Sequence, residues 1–342
     1  MTKTLLIRAK APLRVSFAGG GTDVPPFPQR EGGLVLNATI NRYAYGMLRP
    51  RDDSQIRIES ADLGLMVDCD ADKPLLFDGK LDLVKAAIRK ITNGDGRGFD
   101  LFLHSSAPPG SGLGSSSTLV VTLVGLLKEF LRLPLTEYEI AELSYTIERV
   151  EAGIGGGLQD QYAATFGGFN FIEFLPDRVI VNPLRIKPDV TNELEHNLLL
   201  CYTGATRRSD HIIEDQTARF EQRDEDTLAG LRQQKEFAVE MKNALLCGRP
   251  STFGALLDHA WEAKKKLSPR ISNSFIDELY EEARRNGALG GKVTGAGGGG
   301  YMLLYCRFER KHRVAEALTR LGATVTDFAF EPDGLETWGG DE

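Results

Sequence analysis

The sequence has little cysteine, no excess of positive charge and no long hydrophobic run, and each absence excludes a class of protein. Its 342 residues include 41 Lys and Arg against 48 Asp and Glu, and the net charge of −7 argues against broad nucleic-acid binding. The longest largely apolar stretch, residues 119–127, is far shorter than the roughly 20 residues of a membrane-spanning helix. The first residues lack a signal-peptide pattern. We therefore expect a cytoplasmic protein without a membrane or nucleic-acid partner.

The cysteines lie far apart in the sequence and form no C-x-x-C pair. The four are Cys69, Cys201, Cys247 and Cys306. Such spacing favours neither a disulfide framework nor a zinc site, and the five histidines form no H-E-x-x-H motif. We expect free thiols and no metal bound by cysteine or histidine.

Glycine, in contrast, is abundant. The 37 glycines make up about 11% of the chain, against about 7% in an average protein. Nineteen of them fall in four short segments, residues 19–21, 110–114, 153–168 and 290–300. The excess is therefore concentrated in a few loops, where glycine lets the backbone approach a ligand closely.

Hydrophobic periodicity predicts a mixed fold in two parts. Short alternating runs in the first hundred residues indicate strands, and they are interrupted by apolar residues at helical spacing over 80–92. A proline-containing segment at 183–190 precedes a long, charged helical region from about 207 to 285. We predict an α+β protein with two domains, residues 1–190 and 191–342.

The sharpest motif is a loop of glycine and serine between a predicted strand and a predicted helix. Its glycines can turn backbone N–H groups toward an anion, the helix N-terminus adds partial positive charge, and serine hydroxyls can reach a phosphate oxygen or a metal ion. The loop lacks the Gly-Lys-Ser/Thr of a Walker A loop and has serine at the sixth position of the dinucleotide fingerprint. A plain Gly/Ser turn is the alternative. The predicted phosphate-binding residues are Pro109, Gly110, Ser111, Gly112, Leu113, Gly114, Ser115, Ser116 and Ser117.

This loop resembles the P-x-x-x-G-L-G-S-S signature of the GHMP kinase superfamily, which includes galactose, homoserine, mevalonate and phosphomevalonate kinases. The segment at 11–23, A-P-L-R-V-S-F-A-G-G-G-T-D, resembles a second signature, and the segment at 292–300, K-V-T-G-A-G-G-G-G, resembles the third. The three motifs occur in the family's order and span most of the chain. The resemblance implies an ATP-dependent kinase with a strand-rich N-terminal ATP-binding domain and a ferredoxin-like C-terminal domain.

Within the superfamily, the chain is similar to the D-glycero-D-manno-heptose 7-phosphate kinases. Galactokinases have Gly-Glu-His-Thr-Asp where this chain has G-G-G-T-D at 19–23, and the triple glycine resembles the heptose kinases, as do 157–162 and 167–171. The resemblance implies transfer of the ATP γ-phosphoryl group to the anomeric hydroxyl of D-glycero-D-manno-heptose 7-phosphate. The product would be the 1,7-bisphosphate, on the route to nucleotide-activated heptose for capsule, lipopolysaccharide or surface-layer glycans.

The resemblance also assigns the reacting groups. Asp160, which follows a glycine-rich loop, is the predicted catalytic carboxylate that accepts or orients the sugar hydroxyl proton, with helix capping as the alternative role. Arg14 corresponds to the basic residue of the first motif and would stabilise Asp160 or the transferring charge. Ser116 and Glu148 are the predicted Mg²⁺ ligands. For Glu148 a solvated helix face is the alternative, and Glu151 lies close by in sequence.

The remaining assignments concern the sugar phosphate. The glycines at 19–21 would leave room for the sugar, and a carboxylate beside them can accept hydrogen bonds from its hydroxyls. Arg207 or Arg208 is assigned to the 7-phosphate, because arginine can bind phosphate in a bidentate way, and ordinary charge on a helix surface is the alternative. The run 264–266 of three lysines is expected to form a solvated face, with one lysine assisting at the site as the alternative. The predicted sugar-binding residues are Gly19, Gly20, Gly21, Thr22 and Asp23.

Two alternative functions stay open at this point. The protein could be a kinase for an unphosphorylated hexose such as mannose, fucose or galactose, or a catalytically inactive binding protein with the GHMP kinase fold. The predicted cofactors are ATP and Mg²⁺. The predicted partner is a small sugar phosphate, and a homodimer is the candidate assembly.

Overall fold

The larger sheet of the protein contains strands from both ends of the chain. The computed structural model describes residues 5–204 and 210–341. The sheet runs in the order β12-β1-β2-β5-β3-β4, with β6 paired to β2 and β7 paired to β6. Its pairs are antiparallel except for β3 and β5, which are parallel. Within the described ranges its strands are β1 (Leu5–Ala18), β2 (Gly33–Pro50), β3 (Gln55–Ser60), β4 (Leu65–Asp70), β5 (Phe99–Ser105), β6 (Phe169–Phe174), β7 (Val179–Pro183) and β12 (Glu336–Asp341).

Strand β1 contributes both to the core and to the functional site. Leu13, Val15 and Phe17 are completely buried in a hydrophobic core. Because successive side chains of a strand point to opposite faces, Arg14 and Ser16 point away from that core. The alternation of the sequence therefore turns a buried arginine toward the other side of the sheet.

The helices of the first half follow and cover this sheet. Helices α2 and α3 pack on it through a core that includes Val84, Ile88, Val120 and Leu127. Helix α4 begins with a capping box, in which Thr136 accepts from the backbone N–H of Glu139 and the Glu139 carboxylate accepts from Thr136. The helices are α1 (Phe27–Glu31), α2 (Asp82–Thr92), α3 (Ser115–Leu131), α4 (Glu137–Tyr145), a π-helical turn (Thr146–Glu151) and α5 (Gln159–Phe166).

A smaller antiparallel sheet lies in the second half of the chain. Its strands are β8 (Leu198–Tyr202), β9 (Ala288–Val293), β10 (Tyr301–Cys306) and β11 (Thr324–Thr326). Their spatial order is β11-β8-β10-β9, which is fourth, first, third, second in chain order. That order is the ferredoxin-like one predicted for this half.

Long helices connect the two sheets. Helices α8 and α9 place Ala238, Met241, Phe253 and Leu257 in the same core as the apolar side chains of β1. This shared core fixes the position of α9 relative to the first strand. The helices are α6 (Pro188–Asn197), α7 (Asp210–Glu221), α8 (Glu225–Leu246), a 3-10 turn (Pro250–Thr252), α9 (Phe253–Lys265), α10 (Ser274–Asn286) and α11 (Lys311–Arg320).

The architecture confirms the predicted α+β fold in two parts. The proposed boundary at residue 190 falls inside α6, and β12 returns from the end of the chain to pair with β1, so that the two ranges 1–190 and 191–342 stay a prediction. No helix within residues 5–204 or 210–341 is long and apolar enough to cross a membrane.

Candidate active site

A cavity brings the glycine-rich segments together. Glycines from the segments at 19–21, 110–114, 153–168 and 290–300 all line it, although they are far apart in sequence. The polar side chains on its wall include Arg14, Asp23, Ser116, Glu148, Asp160 and Lys264. The three sequence motifs and the predicted reacting groups therefore belong to one site.

The predicted phosphate loop ends at the N-terminus of α3. Gly114, the residue before the helix, has φ = 77°, a conformation that favours glycine. Pro109 is exposed on the outer side of the loop, whereas Ser111 and Leu113 are buried behind it. The predicted residues that line the cavity are Gly110, Gly112, Gly114, Ser115, Ser116 and Ser117.

The C-terminal glycine motif supports this loop from behind. The backbone N–H of Tyr301 donates to the carbonyl of Ser111 at 2.9 Å. A Cβ atom on Gly112 would lie only 2.6 Å from the carbonyl oxygen of Thr294, and one on Gly300 only 2.3 Å from that of Ser111. The two loops can approach each other this closely because each has a glycine, which lacks a side chain, where it contacts the other. The third motif therefore holds the phosphate loop in place.

Arg14 and Asp160 form a largely buried ion pair on the wall of the cavity. Nε and one terminal nitrogen of Arg14 lie 2.7 and 2.6 Å from the same Asp160 oxygen, and the other terminal nitrogen donates to the carbonyl of Gly112 at 2.7 Å. Asp160 lies in the first turn of α5, and its side chain is 18% exposed. The N-cap position is Leu158, so Asp160 does not serve as the helix cap. Asp160 is therefore held beside the phosphate loop with one oxygen not bound by Arg14.

Asp23 is buried on a neighbouring part of the wall. It accepts hydrogen bonds from the backbone N–H groups of Gly21 and Gln159 at 3.0 and 3.1 Å, and from the Gln159 side-chain amide at 3.2 Å. Burial, and then the negative charge of Asp160, raises the pKa of Asp23. The structure therefore joins the first motif to the start of α5.

Thr22 has a different role from its neighbour. Its hydroxyl donates to the carbonyl of Gly19 at 2.7 Å and accepts from the backbone N–H of Leu34 at 3.0 Å. Thr22 is completely buried, and neither it nor Gly19 nor Gly20 lines the cavity, whereas Gly21 and Asp23 do. The hydrogen bonds of Thr22 stabilise the turn from which Gly21 and Asp23 line the cavity.

Glu148 lies in the π-helical turn and faces the serines of the phosphate loop. It is 1% exposed, and one of its oxygens accepts from the Ser117 hydroxyl at 2.6 Å and from the Gln161 amide at 2.7 Å. Its other oxygen lies 3.3 Å from Arg149. Local π-helical turns are often found at functional sites. The alternative of a solvated helix face therefore does not hold for Glu148.

The neighbouring carboxylate Glu151 points elsewhere. It pairs with Arg89 and Lys90 at 3.1 and 2.9 Å on the surface. Among the loop serines, Ser117 contacts Glu148, whereas Ser116 is half-buried and lines the cavity. The structure thus separates a serine that orients Glu148 from one that is open to a ligand.

Lys264 lines the cavity, although the lysine run 264–266 was expected to form a solvated face, with one lysine at the site only as the alternative. That expectation is wrong for this residue: its side chain is 4% exposed, lines the cavity and donates to the carbonyl of Gly295. Burial, and then the positive charge of Arg14, lowers the pKa of Lys264 to about 8. Helical spacing could have revealed it, because Lys264 lies three and four residues after the buried Trp261 and Ala260.

Two further outcomes complete the site. Gln159 and Gln161, which flank Asp160, bind Asp23 and Glu148 respectively, a role that their amide side chains alone did not indicate. Arg207 and Arg208, assigned to the sugar phosphate, lie outside the described residues.

Comparison with known proteins gives consistent matches. The GHMP kinases N terminal domain model matches residues 82–168, and the GHMP kinases C terminal model matches residues 239–324. A D-glycero-alpha-D-manno-heptose 7-phosphate kinase of Campylobacter jejuni is 42% identical over 97% of this chain and 98% of its own. The crystal structure of a D-glycero-D-manno-heptose 1-phosphate kinase from Bacteroides thetaiotaomicron is 37% identical, covers 97% of this chain and 98% of its own, and superposes with a TM-score of 0.82. A second crystal structure, from Campylobacter jejuni, is 40% identical, covers 98% of both chains and has a TM-score of 0.81.

Proposed function

The chain belongs to the GHMP kinase family, and we propose that it transfers the γ-phosphoryl group of ATP to the anomeric hydroxyl of D-glycero-D-manno-heptose 7-phosphate. In this reaction the anomeric oxygen forms a bond to the γ-phosphorus, the bond from that phosphorus to the bridging oxygen of ADP breaks, and the hydroxyl proton leaves. The products are the 1,7-bisphosphate and ADP. The observation that carries the proposal is the Arg14–Asp160 pair beside the phosphate loop, in a chain similar over its full length to a heptose 7-phosphate kinase.

The phosphate loop is proposed to hold the triphosphate. Its glycines leave backbone N–H groups accessible, and the N-terminus of α3 favours negative charge at this point. Ser115 and Ser116 line the cavity and can contribute hydroxyls. The position of the loop is fixed by the C-terminal glycine motif, so that the phosphates meet a preorganised surface.

Asp160 is proposed to accept or orient the proton of the attacking hydroxyl. Arg14 binds one carboxylate oxygen and the carbonyl of Gly112, so that Asp160 is fixed relative to the phosphate loop. The other oxygen is available to the sugar. Fixing the acceptor and the nucleophile in one geometry is the main requirement of phosphoryl transfer, whose loose transition state needs little covalent help.

Mg²⁺ is proposed as the second cofactor, with Ser116 and Glu148 as its protein ligands. The residues fit such an ion, because Glu148 offers a buried carboxylate and Ser116 a hydroxyl on the wall of the same cavity, both oxygen ligands that Mg²⁺ prefers. When bound, the ion would neutralise charge on the triphosphate. Ser117 and Gln161 keep Glu148 in a fixed orientation.

The sugar is proposed to lie against the first motif. Gly21 and Asp23 would form its floor, with Thr22 fixing the turn that carries Gly20 behind them, and Arg207 and Arg208 stay the proposed ligands of the 7-phosphate. A homodimer and a cytoplasmic location also stay predictions. The anomeric phosphate of the product suits a later attack on the α-phosphorus of a nucleoside triphosphate, which would release pyrophosphate and supply nucleotide-activated heptose for surface glycans.

A substrate panel tests the proposal. ADP release should be measured with heptose 7-phosphate, heptose 1-phosphate, mannose, fucose and galactose, and the product located by ³¹P and ¹H NMR. We expect the highest kcat/KM with heptose 7-phosphate and a new phosphate on C1. A higher kcat/KM with a free hexose, or a new phosphate at another carbon, would overturn the substrate assignment. Absence of turnover with every sugar would favour the inactive binding protein.

A further inference from the structure

The outer face of the larger sheet carries a row of mainly apolar side chains that crosses six strands. The strands β12, β1, β2, β5, β3 and β4 lie side by side in this order. Residues directly opposite each other on paired strands point to the same face of a sheet. We call the set at this level of the sheet the central row. In strand order its residues are Trp338, Arg8, Met47, Phe102, Glu59 and Met66.

The central row lies on the face opposite the core. Helices α2 and α3 pack on the inner face, where Leu48 and Leu101 alternate with the residues of the row. On the outer face, Trp338 is 42% exposed, Phe102 37% and Met66 59%. Single exposed apolar side chains are ordinary on a protein surface, whereas apolar side chains grouped together indicate a surface that binds another molecule.

The order of residues in the central row is self-complementary. A two-fold axis along the strand direction, between β2 and β5, would bring a second copy face to face, with β2 over β5 and β1 over β3. Met47 would then lie against Phe102 of the second copy, and Trp338 against Met66. An interface of C2 symmetry needs such a pattern, because each surface position must fit its symmetry-related one.

The two charged residues of the central row follow the same symmetry. Arg8 lies on β1 and Glu59 on β3, each on the second strand from the axis, so the rotation places each one over the other. Within residues 5–204 and 210–341, neither side chain makes an ion pair or a hydrogen bond. A second copy would therefore supply the opposite charge that each of them lacks in its own chain.

The rows on either side are also complementary on the two central strands. Arg49 on β2 is opposite Asp100 on β5, and Tyr45 on β2 is opposite His104 on β5. The same axis would place Arg49 over Asp100 of the second copy, and Tyr45 over His104. Cation would meet anion and ring would meet ring, which favours this arrangement over a shifted one.

The charge balance of the face favours a second copy over a strongly charged partner. Across the three rows four cations match four anions, although the whole chain carries a net charge of −7. Such a face does not repel its own copy, and it has no excess charge to attract nucleic acid or an anionic membrane. The charged residues are Arg8, Lys10, Arg49, Arg57, Glu59, Asp68, Asp100 and Glu336.

The size of the face is sufficient for a specific dimer. Six strands about 4.8 Å apart and three rows about 6.8 Å apart cover roughly 600 Å². Specific interfaces bury about 600–1,000 Å² on each partner, so this face lies at the lower end of that range. We therefore expect a Kd in the micromolar range rather than a permanent dimer.

We propose that the outer face of the larger sheet is the interface of a homodimer, with the two sheets packed face to face about an axis between β2 and β5. Two aligned sheets pack about 10 Å apart at an angle of roughly 30°. The proposal gives the predicted homodimer a specific surface. None of the residues of the central row lines the active-site cavity, so the dimer would leave that cavity open.

Phe102→Asp is the first test, and Phe308→Asp is its matched control. Phe308 is a second exposed phenylalanine, 71% accessible and outside the three rows. Sedimentation velocity over roughly 1–200 µM should show wild type associating with a micromolar Kd. Phe102→Asp should raise this Kd at least 100-fold, because it places two charges at the centre of the interface, and Phe308→Asp should change it less than twofold. A wild type that stays monomeric, or an unchanged Kd for a folded Phe102→Asp protein, would overturn the proposal.

Charge reversal tests the symmetry itself. Arg8→Glu and Glu59→Arg each bring like charges together across the axis, so each should raise Kd at least tenfold, and the double variant should return it to within threefold of wild type. An equal mixture of the two single variants should form heterodimers more tightly than either variant self-associates, because opposite charges then meet at both contacts. Within one chain the two positions are three strand spacings, about 14 Å, apart, so recovery reports a contact between chains. Failure of the mixture to associate would refute the two-fold arrangement.

These measurements do not depend on the kinase assignment. Association is measured without nucleotide or sugar, and an error in the substrate leaves its interpretation unchanged. The kcat of each subunit in Phe102→Asp should equal that of wild type, because the substitution lies outside the cavity. A monomeric wild type that instead binds a different protein through this face would assign the face to another partner and overturn the homodimer.

Discussion

Asp160→Asn should abolish turnover while leaving the fold and the nucleotide site intact. The substitution keeps the shape of the side chain and one oxygen that can accept from Arg14, but it removes the negative charge. Arg14 is 3% exposed and would then lack its ionic partner. Losing one partner of a buried pair costs about 3–5 kcal/mol, and here the exposed fraction of Asp160 and the retained oxygen reduce the expected loss to about 1–3 kcal/mol.

The catalytic effect should be larger than the loss of stability explains. Positioned acid–base groups contribute roughly 10²–10⁴ in rate, so we expect kcat to fall at least 100-fold. ATP should bind as tightly as before or slightly more tightly, because a negative charge beside the phosphate loop has been removed. ADP release, calorimetric binding of ATP and urea unfolding measure these three quantities.

Two controls separate catalysis from stability. Asp189 occupies the same position in α6 that Asp160 occupies in α5, the second residue of the helix, and is exposed. Asp189→Asn should therefore leave kcat unchanged. The double variant Arg14→Met, Asp160→Asn removes the unpaired cation and should recover part of the stability without recovering turnover. A folded Asp160→Asn protein with kcat within tenfold of wild type would refute the assignment of Asp160.

Three further predictions follow from the same geometry. Ser117→Ala should lower the free energy of unfolding by about 1–2 kcal/mol because Glu148 loses a buried hydrogen bond, whereas Ser116→Ala should leave stability unchanged and raise the Mg²⁺ concentration needed for half-maximal rate. Gly112→Ala should cost at least about 2 kcal/mol in urea unfolding, since φ is +81° and the methyl group would overlap a carbonyl oxygen. The pKa of Lys264 is lowered to about 8 in the folded protein, so between pH 8 and 10.5 the unfolded chain binds more protons than the folded one. Over this range the free energy of unfolding of wild type should therefore rise by up to about 3 kcal/mol relative to that of Lys264→Met. Equal slopes of stability against pH in these two proteins would contradict the buried, titrating lysine.

Much of the site could be read from local sequence. The proposed phosphate loop, Arg14, Asp23 and Asp160 each stand in a short motif whose residue types suit the proposed chemistry. Their convergence in one cavity agrees with the order of the three motifs along the chain. The ferredoxin-like order of the smaller sheet likewise agrees with the expectation from the resemblance.

Other features depended on contacts between distant segments. The last strand, β12, pairs with β1, and no strand was predicted at residues 336–341 because the segment has no apolar alternation of its own. Glu148 and Glu151 differ by only three positions, yet one faces the buried Ser117 and the other faces surface cations. Helical spacing within a charged segment does not by itself decide which carboxylate is buried.

The sequence by itself determined the family and the α+β class and indicated the groups proposed to handle phosphate, because these inferences depend on residue types at short, fixed spacings. Tertiary structure alone decided that Lys264 leaves the solvated lysine run and lines the cavity. The reason is that α9 shares its core with β1, so packing of apolar side chains carries this lysine into the cavity. Hydrophobic contacts between α9 and β1, which are distant in sequence, thus position the charged group of Lys264.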